Sequence, residues 1–424
     1  MSQAVGALTD SEVSRIQRRT LAVLVLAQAV GAIGITVGVS TASLLAREVS
    51  GSETVSGLVQ TAQVLGASVA SYLLARLMSR RGRRVGQVTG LLAGGLGAFV
   101  AVLAGAVGST ALLMAGALVL GGTTAANAAA RYAATDLASA SSKGRSLSTV
   151  VWATTVGAVL GPNLSGPAGR LATWWGLPYL TGPFLVGGVV MLLAALVVHV
   201  AMRPDPLLTA RRLATGAESE AVQVGTSWGR ALGAFREHPP LAAAVVAQAL
   251  AHAVMVAVMI MTPLHMEHGG SHLQVIGFVI SLHVLGMYAF SPLIGWFVDR
   301  AGSSVALACG AGLLLASLLL SGLSPSGHSW TLTAGLFLLG VGWSFCTLAA
   351  AASIAERAPL RIRTDVQGVS DMVMGLTAAA GGAVAGVLVA EFGYAGLAAV
   401  SACFAVAIFG SALVIGRHGR HATP

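Results

Sequence analysis

Twelve apolar runs, separated by short polar breaks, occupy most of the chain. They fall near residues 20–46, 54–77, 85–107, 110–132, 147–166 and 177–201, then 241–264, 273–298, 304–323, 330–354, 366–390 and 394–416. A helix that crosses about 30 Å of hydrocarbon needs roughly 20 predominantly apolar residues. The pattern therefore predicts an all-α integral membrane protein with twelve transmembrane helices. One long polar stretch, residues 202–240, interrupts the series and holds Arg203, Arg211, Arg212, Arg230 and Arg236 together with several acids. It reads as a linker between two six-helix halves, 1–201 and 241–424, with one short amphipathic helix expected inside it.

Composition agrees. The chain is 55% hydrophobic and 9% charged, where a soluble domain carries about 25% charged residues. Its 54 glycines are spread through the apolar runs, as expected where close packing, rather than hydrophobicity, joins helices inside lipid. The pI of 10.5 reflects where the cations lie and not a nucleic-acid surface. With the N-terminus placed inside, the inner segments hold 22 of the 24 Lys and Arg, leaving Arg47 and Arg170 outside. That satisfies the positive-inside rule and predicts a multi-pass protein of the cytoplasmic membrane with both termini cytoplasmic. Arg outnumbers Lys 23 to 1, which points to a bacterial source. The run after Arg15, Arg18 and Arg19 lacks a small-residue processing site and reads as a retained first span. Cys309, Cys346 and Cys403 stand singly in apolar runs and are expected to be buried thiols.

The halves repeat. Leu74-Ala75-Arg76-Leu77-Met78-Ser79-Arg80-Arg81-Gly82 aligns with Ile294-Gly295-Trp296-Phe297-Val298-Asp299-Arg300-Ala301-Gly302 at an offset of 220. Leu120-Gly121 in the fourth run matches Leu339-Gly340 in the tenth at an offset of 219. Two matches at nearly one offset indicate a duplicated six-helix unit, of the kind related by an axis along the membrane normal. On these residues the chain resembles the major facilitator superfamily over essentially its whole length. The resemblance implies transport by rocking of two halves, and implies that Gly295, Asp299, Arg300 and Gly302 form an inner-side latch. The first copy has Ala75 for the glycine and Ser79 for the aspartate.

Methionine and histidine are unevenly spread. Ten of the 22 lie within residues 252–287: His252, Met255, Met259, Met261, His265, Met266, His268, His272, His283 and Met287. The four-residue steps Met255/Met259 and His283/Met287 place each pair on one helix face, and thioether and imidazole together select soft ions such as Cu(I). His252, Met255, Met259 and Met266 share an arc of about 60° if the helix continues through Pro263. Methionines are also flexible core fillers, so the stripe has a packing reading as well. Counting along the seventh and eighth spans, residues 252–255 are expected level with 282–285, with His283 near the midplane, where an ionisable side chain is a functional candidate. His252, and in the outer loop His265, Met266, His268 and His272, are possible accessory ligands. With M-x-x-x-M on span seven and H-x-x-x-M on span eight, the chain resembles the CcoA-like (CalT) copper importers. That resemblance implies Met255, Met259, His283 and Met287 as ligands of a transported copper ion, with no cofactor held permanently.

A second motif points elsewhere. Gly157-x-x-x-Gly161-Pro162-x-x-Ser165-Gly166 resembles a motif of drug/proton antiporters, and equally suits close helix packing with a bend at Pro162. Among the acids, Asp371 is the one clearly inside an apolar run, near the inner end of span eleven, where a latch with nearby arginines is favoured over a proton relay. Gln28, Gln60, Gln63, Asn127, Asn163 and Gln248 are candidate cavity residues. No phosphate-binding loop or catalytic constellation is visible, so no enzyme is expected. The expected partners are the lipid bilayer and a small cargo, with no nucleic acid, and the chain is expected to be a monomer. The alternatives to copper import are proton-coupled efflux of drugs or metabolites, and uptake of an organic nutrient such as riboflavin.

Overall fold

The computed structural model describes residues 8–214 and 226–419. Six long helices come first: α1 (Asp10–Ser50), α2 (Glu53–Arg81), α3 (Arg83–Val107), α4 (Thr110–Ala133), α5 (Lys143–Trp174) and α6 (Gly182–Ala201). Two short helices follow, α7 (Pro206–Leu213) and α8 (Ser227–Glu237), so the linker holds two described helices where one was expected. The remainder is α9 (Pro239–His268), α10 (Leu273–Tyr288), α11 (Ser291–Ala301), α12 (Ser303–Gly322), α13 (Trp330–Arg357) and α14 (Arg363–Gly419).

At 57 residues, α14 would be far longer than a bilayer is thick. It breaks at Gly393, whose φ of 68° and ψ of −178° suit only glycine. Residues 363–392 and 394–419 are thus two spans, α14a and α14b. The eighth span is itself broken. α10 ends at Tyr288, and α11 restarts with Pro292 in its first turn, a position that tolerates proline because its missing N–H has no helical acceptor there. α5 bends by 55° between Gly161 and Asn163, the bend expected at Pro162. Counting α5 as one bent span and α10–α11 as one broken span, the described residues make twelve crossings in two six-helix halves.

The repeated Leu-Gly steps do one job twice. A side chain at Gly121 would overlap the α2 backbone at Ala67, and one at Gly340 would overlap the α10 backbone at His283. Each glycine lets the fourth helix of its half touch the second at backbone distance. The lipid-facing sides carry exposed Leu96, Leu103, Leu196, Val200, Leu319 and Val406, normal for a chain solvated by acyl tails. Exposed Trp174, Trp175 and Trp330 mark one end of the bundle, where amphipathic rings prefer the interface. Arg83, Lys143, Arg145, Arg300 and Arg357 gather at the other, here called the basic end. Cys346 is buried as expected, but Cys309 and Cys403 are exposed on the outer helix surfaces. A thiol behaves as a small apolar group, so lipid contact is no penalty for it.

Between the halves the polar contacts cluster at the basic end, along two seams. At one, α11 meets the start of α5: Asp299 accepts from the backbone N–H of Gly144 (2.6 Å) and Arg145 (3.0 Å) and from Arg145 Nε (3.2 Å). At the other, α2 meets α14a, with Gly368 against Ala75 and Gly375 against Ser68. Arg83 ties this seam down, donating to Asp136 (2.8 and 3.2 Å) and to Gln367 across the halves (2.7 Å). Among the described residues, α1 and α9 make no extensive contact with each other. The halves are pinned at the basic end.

Candidate transport site

Above the pinned end, at the seam of the halves, lies a cavity of about 280 Å³. α2 contributes a polar stripe, Gln60, Gln63, Ser68 and Ser71, at spacings that keep these residues on one helix face. Thr124 of α4 faces it, and His252, Asp371 and Met374 close the other side. Most of the wall is apolar, with a few convergent hydrogen-bonding groups, the usual make-up of a small-molecule site.

Hydrogen bonding fixes His252. Trp343 Nε1–H donates to His252 Nδ1 at 3.0 Å, and an indole nitrogen has no lone pair to accept with. Nδ1 is therefore the unprotonated nitrogen, and Nε2 carries the ring proton as a donor. Trp343 also meets Tyr288 edge-on, with centroids 5.9 Å apart, so one indole links α9, α10 and α13.

Below the cavity is a buried polar network. Arg131 of α4 pairs with Asp371 of α14a across the halves. Gln248 Nε2 donates to the same Asp371 oxygen at 3.1 Å. The Tyr132 hydroxyl donates to Gln248 Oε1 at 3.3 Å, and the Arg131 guanidinium lies 4.9 Å above the Tyr132 ring centre. Paired buried charges are tolerated, whereas removal of one partner is costly; here Arg131 is paired through Nη2, and its Nε is buried without a partner.

The four expected metal ligands are placed differently. Met255 and Met287 are buried, Met259 is partly buried, and all three pack in the core of the C-terminal half. His283 is 1% exposed. Its Nδ1 lies 2.8 Å from the Leu336 carbonyl, which can only accept, so Nδ1 donates and Nε2 keeps its lone pair. That Nε2 is buried without a partner. None of the four lines the cavity, and α9 and α10 do not pack side by side, α13 standing against both. His252 and His283 are anchored on α13 seven residues apart, at the Trp343 indole and the Leu336 carbonyl, and α13 stands between their helices.

The outer group divides. α9 continues through Pro263 to His268. His265 stacks on Tyr394 at 4.2 Å and Met266 is fully buried, while His268 and His272 are exposed. Of the latch residues, Asp299 bridges the halves, Gly295 lies against Gly144 and Ser148, and Asp371 holds Arg131. Arg300 rests on the Trp296 ring, 6.0 Å from its centre, and Gly302 adopts φ 85° between α11 and α12. In the packing motif, Gly157 abuts Ala32 of α1 at backbone distance and Gly166 accepts a hydrogen bond from Tyr179.

Of the six candidate cavity amides, Gln60 and Gln63 line the space, Gln248 belongs to the floor, and Gln28 is held by Thr154 at 3.0 Å. Asn127 sits beside Gly31, and Asn163 bonds back to its own helix. Ser68, Ser71, Thr124, Trp343 and Met374 were not anticipated. The two serines continue the helical spacing of Gln60 and Gln63, a signal present in the chain; Trp343 carries none.

A two-lobed bundle of twelve spans around a cavity at the seam is the architecture of a carrier. The chain belongs to the Major Facilitator Superfamily, whose family model matches residues 23–275 and 267–423. It is a multi-pass membrane transporter with a small-molecule cargo, and not an enzyme. It is 36% identical over 383 residues to the uncharacterized MFS-type transporter YddS of Bacillus subtilis, covering 90% of this chain and 87% of that one. It is 27% identical over 390 residues to the riboflavin transporter RfnT of Brucella anthropi, covering 91% and 92%. Among solved structures, FucP of E. coli in its outward conformation superposes with a TM-score of 0.69 at 17% identity, covering 93% and 97%.

Proposed function

We propose that this protein takes a small polar organic solute into a bacterial cell by alternating access, binding it in the cavity between the halves. The observation that carries the reading is the lining: Gln60, Gln63, Ser68, Ser71 and Thr124 opposite the Nε2–H of His252. Neutral amides and hydroxyls with one imidazole donor match a ligand with several donors and acceptors on a largely apolar body. The likeness to RfnT makes riboflavin, a polar heteroaromatic, the first candidate. The arginine distribution supports the basic end as the cytoplasmic one, with both termini on the cytoplasmic side of the plasma membrane.

Labelled riboflavin accumulation in a host lacking its own uptake system tests this. Uptake above empty cells is expected, with a loss of at least about tenfold in Gln63→Leu and His252→Leu, each of which leaves a polar ligand atom unpaired. Accumulation equal to that of empty cells eliminates riboflavin.

A second reading, copper import, is favoured by the bare Nε2 of buried His283 one turn before Met287. A neutral imidazole that donates from one nitrogen and presents the other is the form that binds metals. Radioactive copper uptake that is lost in both Met255→Leu/Met259→Leu and His283→Ala supports it. Leucine keeps the apolar volume roughly constant, so uptake retained in the methionine pair variant returns that stripe to packing.

A further inference from the structure

The cavity has two titratable side chains in its lining, His252 and Asp371. We propose that Asp371 is the proton-coupling residue of this carrier: a proton taken from the open cavity onto its carboxylate frees Arg131 and lets the basic end part. This rests on the carrier reading but on no particular cargo.

Four observations converge. First, the Arg131–Asp371 pair joins α4 to α14a, one group from each half, so its making and breaking coincide with closing and opening. Second, both side chains are nearly sealed, 9% and 4% exposed. A guanidinium there tolerates burial only while an anion faces it.

Third, Arg131 and Gln248 both bond to Oδ1, while the residue borders the cavity. Oδ2 is the oxygen left for a proton arriving through water. Fourth, the charge stands outside the duplicated scaffold. At the offset of 220 that aligns the halves, Val151 is the counterpart of Asp371 and Ala32 that of His252.

The surroundings leave Asp371 as the site of protonation. α4 presents Arg131 and Tyr132, and α9 presents Gln248 with His252 one turn on. α3 presents Arg83 beneath, already held by Asp136 and Gln367. α2 offers only the hydroxyls of Ser68 and Ser71. No second carboxylate faces Arg131 among the described residues. His252 is a poor acceptor, because a proton on Nδ1 would oppose the Trp343 N–H that points at it.

The direction follows. With Asp371 ionised the pair is intact and the basic end closed. Adding one proton turns the anion into a neutral acid, leaves Arg131 unpartnered, and shifts the population toward opening. Release of that proton on the other side restores the pair.

Nitroxide labels on exposed Arg80→Cys and Glu356→Cys, at the basic end of either half, report the separation by pulsed electron resonance. The protein is studied in lipid nanodiscs with its three native cysteines replaced and no solute added. Lowering the pH from about 8 to about 5 is expected to raise the longer-distance population several-fold. Asp371→Asn should show the longer population at both pH values, Asp371→Glu should restore the dependence, and His252→Asn should keep it. A distance distribution that ignores pH overturns the proposal. So does an Asp371→Asn protein that follows pH as the parent does, or loss of the dependence in His252→Asn. Riboflavin plays no part in this experiment, so its outcome stands apart from the identity of the cargo.

Discussion

The two seams at the basic end are copies of one contact, built with opposite choices. In the α11–α5 seam, Gly295 lies against Ser148, and a side chain on Gly295 would overlap both Ser148 and the Gly144 carbonyl. In the α2–α14a seam, Ala75 lies against Gly368, and a side chain on Gly368 would overlap Ala75. Both pairs are related by the same offset, 75 to 295 and 148 to 368. The glycine has changed partners while the close approach has been kept. The requirement lies in the summed volume of the pair, not in a glycine at one motif position.

Charge is distributed as unevenly. Asp299 sits on the first backbone N–H groups of α5, where an anion meets the positive end of a helix dipole. Its counterpart Ser79 turns its hydroxyl back to Arg76 O, and its own carbonyl takes Arg211 Nη1 of the linker helix α7 at 2.6 Å. The same guanidinium reaches the Arg361 carbonyl of the other half at 3.4 Å. Where Asp299 puts a carboxylate on a helix start, its counterpart position offers a carbonyl to an arginine, which adds to the Arg83–Gln367 bond that already ties this seam.

The largest effect is expected from crowding one seam without relief. Gly368→Ser alone should hold the basic end open, since forced overpacking costs about 1–3 kcal/mol and the halves can relieve it by separating. Adding Ala75→Gly rebuilds in the first seam the glycine–serine pair of the second, and closure should return. Label separation across the basic end reads both. A double variant that stays as open as the single one breaks the equivalence of the seams.

Much of this was legible before any coordinates. Twelve spans, the break near Gly393 and the bend at Pro162 follow from hydropathy and from the backbone chemistry of glycine and proline. The repeat is deeper than the loop motif shows: Leu21-Ala22-x-x-Val25-x-Ala27-Gln28-Ala29 recurs as Leu241-Ala242-x-x-Val245-x-Ala247-Gln248-Ala249. Those two glutamines do related work, Gln28 bonding to Thr154 and Gln248 reaching Met374, its partner's counterpart. The methionine–histidine stripe was harder to read. Helical spacing places Met255 and Met259 on one face but does not say whether that face meets water or another helix. Here α13 stands between α9 and α10, a fact of tertiary packing that no spacing within either helix encodes.

Asp299→Asn should have the next largest effect. The amide keeps its size and can still accept, but it loses the charge that favours the α5 helix start. Such contacts are worth roughly 0.5–2 kcal/mol, so the open population should rise by about two- to thirtyfold. Most of the loss belongs to the backbone contacts, because Arg145 is 57% exposed and water screens its share. Arg145→Ala, whose backbone N–H still donates, should therefore change little.

The smallest effect should come from Arg211→Ala. The residue is half-buried, its stronger bond is to Ser79 within the α2 side, and only the 3.4 Å contact with Arg361 spans the halves. α7 is meanwhile kept in place by Asp205, which caps its first turn and accepts from Arg84 N–H at 2.8 Å. A shift of a few-fold in the open population is expected, with the helix still docked, since neutral-acceptor bonds at a partly wet site are worth about 1 kcal/mol. Ser79→Asp in the same background then asks whether the first seam can use the second's device. Its carboxylate would face the start of α14a, as Asp299 faces α5, and closure should return without Arg211. If it does not, the two seams share their packing but not their electrostatics, and α7 is a necessary part of the first one.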